Sequence, residues 1–334
     1  VAVHENHADH VGSEFDGERA AVTAAAEAEP ALSFLAYYRR GVYDFGVDRI
    51  GDQEERARRD RVRLLGRQFC HLVSRLDRTL AEARTGGLIR VVLHGGSGAA
   101  FCDAVVPDAH LFGLVLTPGA DEEERTTLTE RAAIRSADQS VAALATRLRA
   151  IAHLPSANPG GWETAGRTGR LVADGEGDET VTEIRHRGAD KLPEGELAFA
   201  RDSLRRYVRP RDLQFLAFCA NSEPVLTFDR LADPVLSPYF QQITVSARRA
   251  FYHRLSRELG DVAARINRTA ADVVGGLLHR LVLDVEQGAV YYYRLGSCRY
   301  LMGVTLDQDE VSTADDRMAE LARSFDPVAA GPRG

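Results

Sequence analysis

The sequence predicts an α/β (α+β) fold: two tandem copies of a five-stranded antiparallel sheet flanked by helices, joined by a flexible linker. Three observations carry this reading. Matching strings recur 181 to 190 residues apart, each copy repeats one order of helical and strand-like periods, and 334 residues exceed what a single core usually supports.

In chain order, the alanine-rich run Arg19 to Ala28 reads as a first helix. Leu32 to Tyr38 and Val42 to Val47, with Gly41 between, suit a hairpin, because they are short, aromatic and β-branched. Val62, Leu65, Phe69, Leu72, Val73, Leu76 and Leu80 are three or four apart, the spacing of one helix face. After Gly86-Gly87 come three strand-like runs, Ile89 to Leu93, Ala99 to Val106 and Leu111 to Leu116, with turn residues between them. A helix through Val141, Leu144 and Leu148 closes the copy.

The second copy repeats this order. Leu197 to Tyr207 is its first helix, and Leu213 to Cys219 with Pro224 to Phe228 its hairpin. Phe251, Leu255, Leu259, Val262 and Ile266 mark the central helix. Leu278 to Leu283, Ala289 to Leu295 and Tyr300 to Leu306 form the meander, and Ala314, Met318 and Leu321 mark the closing helix.

Phe34-Leu35-Ala36 returns as Phe215-Leu216-Ala217, and Asp48-Arg49 as Asp229-Arg230, both at 181. Phe69, His71, Ser74 and Arg75 match Phe251, His253, Ser256 and Arg257 at 182. Gly86-Gly87-Leu88 matches Gly275-Gly276-Leu277 at 189, and Gly98-Ala99 matches Gly288-Ala289 at 190. On this alignment the largest step follows the central helix pattern, where two extra helical turns would absorb it. The expected organisation is an N-terminal tail (1–15), a first copy (16–154), a flexible linker (155–195), a second copy (196–326) and a C-terminal tail (327–334).

Composition narrows the function classes. A net charge of −7 argues against a general nucleic-acid binder, and the chain has no apolar run long enough to span a membrane. Val1 to His10 lacks the pattern of a secretory signal, and Cys70, Cys102, Cys219 and Cys298 stand far apart as reduced thiols would. A cytoplasmic protein is expected.

The order helix, two strands, helix, three strands, helix, with its glycine-punctuated meander, resembles the Roadblock/LC7 family of the profilin-like superfamily over about 110 residues of each copy. The resemblance implies pairing through the third strand and the preceding helix, within one chain or in a homodimer. It also implies another protein as partner, a small Ras-like GTPase being one case. The PAS and GAF sensor families share a five-stranded antiparallel sheet.

No string stands out as catalytic. His94-Gly95-Gly96-Ser97-Gly98 looks like an esterase oxyanion loop, but a G-x-S-x-G nucleophile elbow is missing, so a hairpin turn is the simpler reading. His4, His7 and His10 could share a helix face and offer imidazoles to a metal, yet they sit in a polar terminal segment with no fixed further ligand, so no metal or cofactor is assigned. His71 and His253, at matching places, suggest a paired site or an interface. Asp48 and Asp229 read as turn and helix-capping acids. In Tyr291-Tyr292-Tyr293 strand alternation should leave a tyrosine outside as an interface anchor. The interface candidates are therefore Phe69, His71, Arg75, Phe251, His253, Arg257, Tyr291 and Tyr293. A non-enzymatic scaffold or regulatory adaptor is the leading expectation, with a small-ligand sensor or an enzyme of unrecognised type as alternatives.

Overall fold

The computed structural model describes residues 3–50, 56–117, 128–153, 181–296 and 298–325. Trp162 and most of the expected linker, the acidic stretch from Asp121, Ser297 and the tail 327–334 fall outside them. The protein is a mixed α/β structure with antiparallel strands. It divides into two compact units, one of Val1–Thr79, Leu88–Glu163 and Ile266–Leu278, the other of Leu80–Gly87, Thr164–Arg265 and His279–Gly334.

Unit 1 contains β1 (His4–His7), α1 (Asp16–Ala28), β2 (Phe34–Arg39), β3 (Val42–Asp48), α2 (Arg56–Leu80), β4 (Leu88–Gly95), β5 (Gly98–Val106), β6 (Ala109–Leu116) and α3 (Leu128–Ile151). Its strands run antiparallel in the order β1-β3-β2-β6-β5-β4. The hairpin between β2 and β3 turns on Arg40 and Gly41, with φ of 52° and 73°. Two successive left-handed residues give the turn whose twist matches the flanking strands.

Unit 2 contains β7 (Thr182–Arg185), α4 (Glu194–Tyr207), β8 (Phe215–Ala220), β9 (Glu223–Asp229), most of α5 (Val245–Val274, whose residues from Ile266 on belong to unit 1), β10 (Arg280–Val285), β11 (Gly288–Arg294), β12 (Arg299–Thr305) and α6 (Val311–Ser324). Its order, β7-β9-β8-β12-β11-β10, repeats that of unit 1 strand for strand. Asn221 and Ser222, with φ of 54° and 61°, take the places of Arg40 and Gly41.

Each unit adds an edge strand to the five expected. β1 pairs with β3 from His4 opposite Asp48, and β7 pairs with β9 from Thr182 opposite Asp229. The repeat therefore starts earlier than the apolar pattern shows. The edge strands HENH and TEIR are too short and polar to register as strands by alternation.

The central helices correct the alignment read from the sequence. Arg59 of α2 holds Asp48 at 3.0 Å, and Arg249 of α5 holds Asp229 at 2.7 Å. Further on, Asp77 accepts the backbone N–H of Leu88 at 2.7 Å, and Asn267 that of Leu278 at 2.6 Å. Both relationships set the helices 190 apart, as the strands after them are. The added length lies in the connection before α5, residues 230–244, which carries the 3-10 turn Pro234–Phe240. No extra helical turns are needed, and His71 and His253 are not equivalent positions.

Within each unit, helices cover both faces of the strands. In unit 1, Phe69 of α2 packs on Phe112 with ring centroids 5.5 Å apart, and the Tyr38 hydroxyl donates to the Arg63 carbonyl at 3.0 Å. On the opposite face Gly113 leaves room for Val141 of α3; a Cβ there would lie 2.9 Å from the valine methyl. In unit 2, the Tyr300 hydroxyl donates to the Ser256 carbonyl of α5, while the Tyr291 hydroxyl donates to Val311 of α6 at 2.8 Å. This double cover explains why β8 is buried along its whole length instead of alternating.

Candidate functional site

The polar groups inside the two units can be sorted by what they hold. Among them are two buried Arg–Asp pairs at matching positions. In unit 2, Arg280 at the start of β10 donates to Asp315 of α6 at 2.9 and 2.6 Å, and the Tyr293 hydroxyl donates to the same carboxylate at 2.7 Å. In unit 1, Arg90 of β4 stands 3.5 Å from Asp138 of α3. Arg90 and Arg280 are 190 apart, and Asp138 and Asp315 share their spacing of 177 with Val141 and Met318, which cover Gly113 and Gly303. A buried charge is tolerated only when paired, so these pairs fix each closing helix against its sheet. Sequence reading missed them; the available signal was an arginine at the start of each meander and an acid in each closing helix.

A second duplicated device sits at the end of each hairpin. Asp48 and Asp229 accept backbone N–H groups two residues on, from Ile50 and Leu231, each at 3.1 Å, while gripping Arg59 and Arg249. The acids shape the turn and anchor the helix start.

The glycine string after β4 is the tight turn between β4 and β5. Its exposed backbone donors are occupied: Gly96 N–H donates to the Gly275 carbonyl at 3.1 Å and Ser97 N–H to the Val274 carbonyl at 2.9 Å. These bonds satisfy the carbonyl end of α5 within unit 1. The counterpart in unit 2 is Glu286 N–H to Gly87 at 3.1 Å and Gln287 N–H to Thr85 at 2.8 Å. An oxyanion hole needs such donors free, so the esterase reading of the string fails.

The N-terminal histidines do not assemble. His4 and His7 lie in a strand, where residues three apart face opposite sides, and His10 bonds to Asp44 at 2.8 Å. Among the described residues no three His, Cys, Asp or Glu side chains gather as a metal ion would need.

Two clusters carry perturbed acidities. Cys70 of α2 and Cys102 of β5 share a hydrogen bond beside His110; that bond draws the Cys70 thiol down to about 6 and, with burial, pushes Cys102 up. In unit 2 the His253 ring meets His186 at 5.2 Å and Phe215 at 5.5 Å, and neither ring nitrogen has a hydrogen-bond partner among the described residues. Burial, together with His186, lowers His253 to about 4, and burial lowers His186 as well. Both imidazoles are therefore neutral at pH 7. The nearby carboxylate of Asp229 is committed to Arg249 with both oxygens at 2.7 Å, so it does not orient the ring for base catalysis.

The interface candidates separate into inside and outside. Phe69, Phe251, Tyr291 and Tyr293 are buried, and so is Tyr292, which packs on Tyr300 at 5.0 Å. The expected outward tyrosine is not found, because α5 and α6 cover opposite faces of β11. His71, Arg75 and Arg257 are exposed, the His71 ring resting against Gly41, while His253 is partly buried. Among the described residues no helix is long and apolar enough to cross a membrane.

No family model matches the chain, and no curated protein matches it either.

Proposed function

We propose that the protein is a non-enzymatic scaffold or regulatory adaptor of the cytoplasm, in which two Roadblock-like copies form a platform for another protein. The observation that carries this reading is reciprocal completion. Unit 1 includes 266–278 from the second copy, capped by Gly96 and Ser97, and unit 2 includes 80–87 from the first, capped by Glu286 and Gln287. Pairing through the central helix and third strand, as the family resemblance implies, accounts for that exchange within a single chain. The internal carboxylates and tyrosines described above hold elements together, which suits a scaffold better than an acid–base centre.

Affinity purification of the tagged chain from its host, with and without added GTP, followed by mass spectrometry, tests the reading. A stoichiometric protein partner supports it, and GTP dependence points to a small GTPase. A chain that emerges alone, carrying a bound small molecule, favours the sensor reading; the unpartnered nitrogens of His253 are the observation on that side.

A further inference from the structure

The outward face of α2 carries a run of basic residues uninterrupted by acids, whereas the corresponding face of α5 mixes arginines with acids. Arg61, Leu64, Arg67, His71, Arg75 and Arg78 are spaced by three or four, so they form one line about 26 Å long at 1.5 Å per residue. All six are exposed, Leu64 by 51%. Of the two acids in the helix, Asp77 is engaged with Leu88, leaving Asp60 at one end. None of the four guanidinium groups has a carboxylate within ion-pair distance among the described residues.

Shifted by 190, the same line on α5 reads Phe251, Arg254, Arg257, Asp261, Arg265 and Arg268, with Glu258 beside it. Phe251 is buried, Arg254 pairs with Glu82, and Glu258 and Asp261 break the positive run. One scaffold position is thus mixed in charge in the second copy and strongly basic in the first. Structural duplication alone would not produce that difference, and a net charge of −7 makes a concentrated basic line more distinctive.

We infer that this face of α2 is the docking surface of the adaptor, and that its partner presents an acidic, amphipathic helix. The inference rests on the adaptor reading and names the chemistry of its partner. Arginine forks pair with carboxylates along the line, and Leu64 supplies the apolar anchor that a helix laid along α2 needs. A nucleic acid fits less well: its dense negative charge is repelled by the acidic chain as a whole, and Leu64 has no use against a phosphate backbone.

The test uses the full chain and a fluorescein-labelled synthetic helical peptide of about 20 residues, with glutamates flanking a leucine stripe, read by anisotropy at 50 mM NaCl. R67E/R78E in α2 is compared with R257E/R268E, the matching positions in α5. All four residues are exposed, so folding should be preserved, and circular dichroism checks it. The surface predicts that R67E/R78E weakens binding about tenfold or more, that R257E/R268E stays within about twofold of the parent, and that L64D also weakens it. Raising NaCl to 300 mM should reduce the parent's affinity severalfold. Equal losses in both double variants overturn the surface, as does displacement of the peptide by an equimolar 25-base-pair duplex or by anionic phosphatidylglycerol vesicles. A partner recovered from the host that binds R67E/R78E undiminished also overturns the surface while leaving the adaptor standing. Recovery of no partner by any variant removes both.

Discussion

Arg280 and Asp315 meet fork to fork, with two hydrogen bonds of 2.9 and 2.6 Å, and Tyr293 closes the carboxylate's remaining side. The arrangement joins the first strand of the second meander to the closing helix α6. Asp315→Ala should destabilise the protein by about 3–5 kcal/mol, because it leaves a buried guanidinium uncompensated. The double replacement Arg280→Met, Asp315→Leu should recover most of that loss. Urea unfolding of the three proteins measures both, and a single variant as stable as the parent would show that the pair is not holding α6.

Stability should fall with acid through His253. Its pKa lies at about 4 in the folded protein, below the ordinary 6.5, so the unfolded chain binds the proton more tightly. The contribution is fully present above pH 6.5 and is lost as the pH falls from 6.5 towards 4. His186, Arg249 and Arg257 oppose a charge on the ring and Asp229 favours it. A displacement of this size is worth about 3 kcal/mol at full burial and roughly 2 for a partly exposed ring. His253→Phe should therefore lose less stability than the parent between pH 7 and pH 4.5. Identical pH profiles in thermal denaturation would contradict this.

Gly288 opens β11 with φ of 91°, and a Cβ there would overlap the Thr305 carbonyl across the ladder. Gly98 holds the equivalent place, where a Cβ would overlap the Val115 carbonyl. Gly288→Ala should cost about 2–4 kcal/mol through combined strain and overlap. Gly195→Ala, where nothing lies within 4 Å of the added methyl, should cost less than about 0.5 kcal/mol. Chemical denaturation of the two variants provides the comparison.

The cysteines should alkylate in an order set by access rather than acidity. Cys298 is exposed, whereas Cys70, Cys102 and Cys219 are buried. Iodoacetamide on the native protein should label Cys298 within minutes and leave the others until urea is added, even though the hydrogen bond with Cys102 lowers the Cys70 thiol to about 6. Early labelling of Cys70, detected by peptide mass mapping, would mean that α2 opens readily from its sheet.

Much of the architecture was legible because apolar spacing is a local signal. The ends of β2, β3, β5 and β6 fall within about two residues of the runs read from the sequence. The edge strands β1 and β7 were not legible, since neither short strand has a fully buried residue or an apolar stripe. Helix register was misread for a related reason. Phe69 and Phe251 both satisfy the buried face of a helix, and only partners distant in sequence, Asp48 for Arg59 and Asp229 for Arg249, fix which turn corresponds to which. The buried Arg90–Asp138 and Arg280–Asp315 pairs escaped notice because single charged residues in a strand and in a helix carry no local mark of burial. The arginines of α2 are plain in the sequence, but their common exposure, and the register that matches them to the acid-interrupted line of α5, required the fold.

The proposed platform requires two copies that complete one another, and separating them tests this most directly. Residues 1–154 and 181–334, expressed as individual chains and then mixed, should each lack the segment that finishes its unit, 266–278 or 80–87. Neither fragment should unfold cooperatively as a monomer, and mixing should yield a 1:1 complex with a single thermal transition, measured by light scattering and calorimetry. Two fragments that fold independently and do not associate would contradict the account.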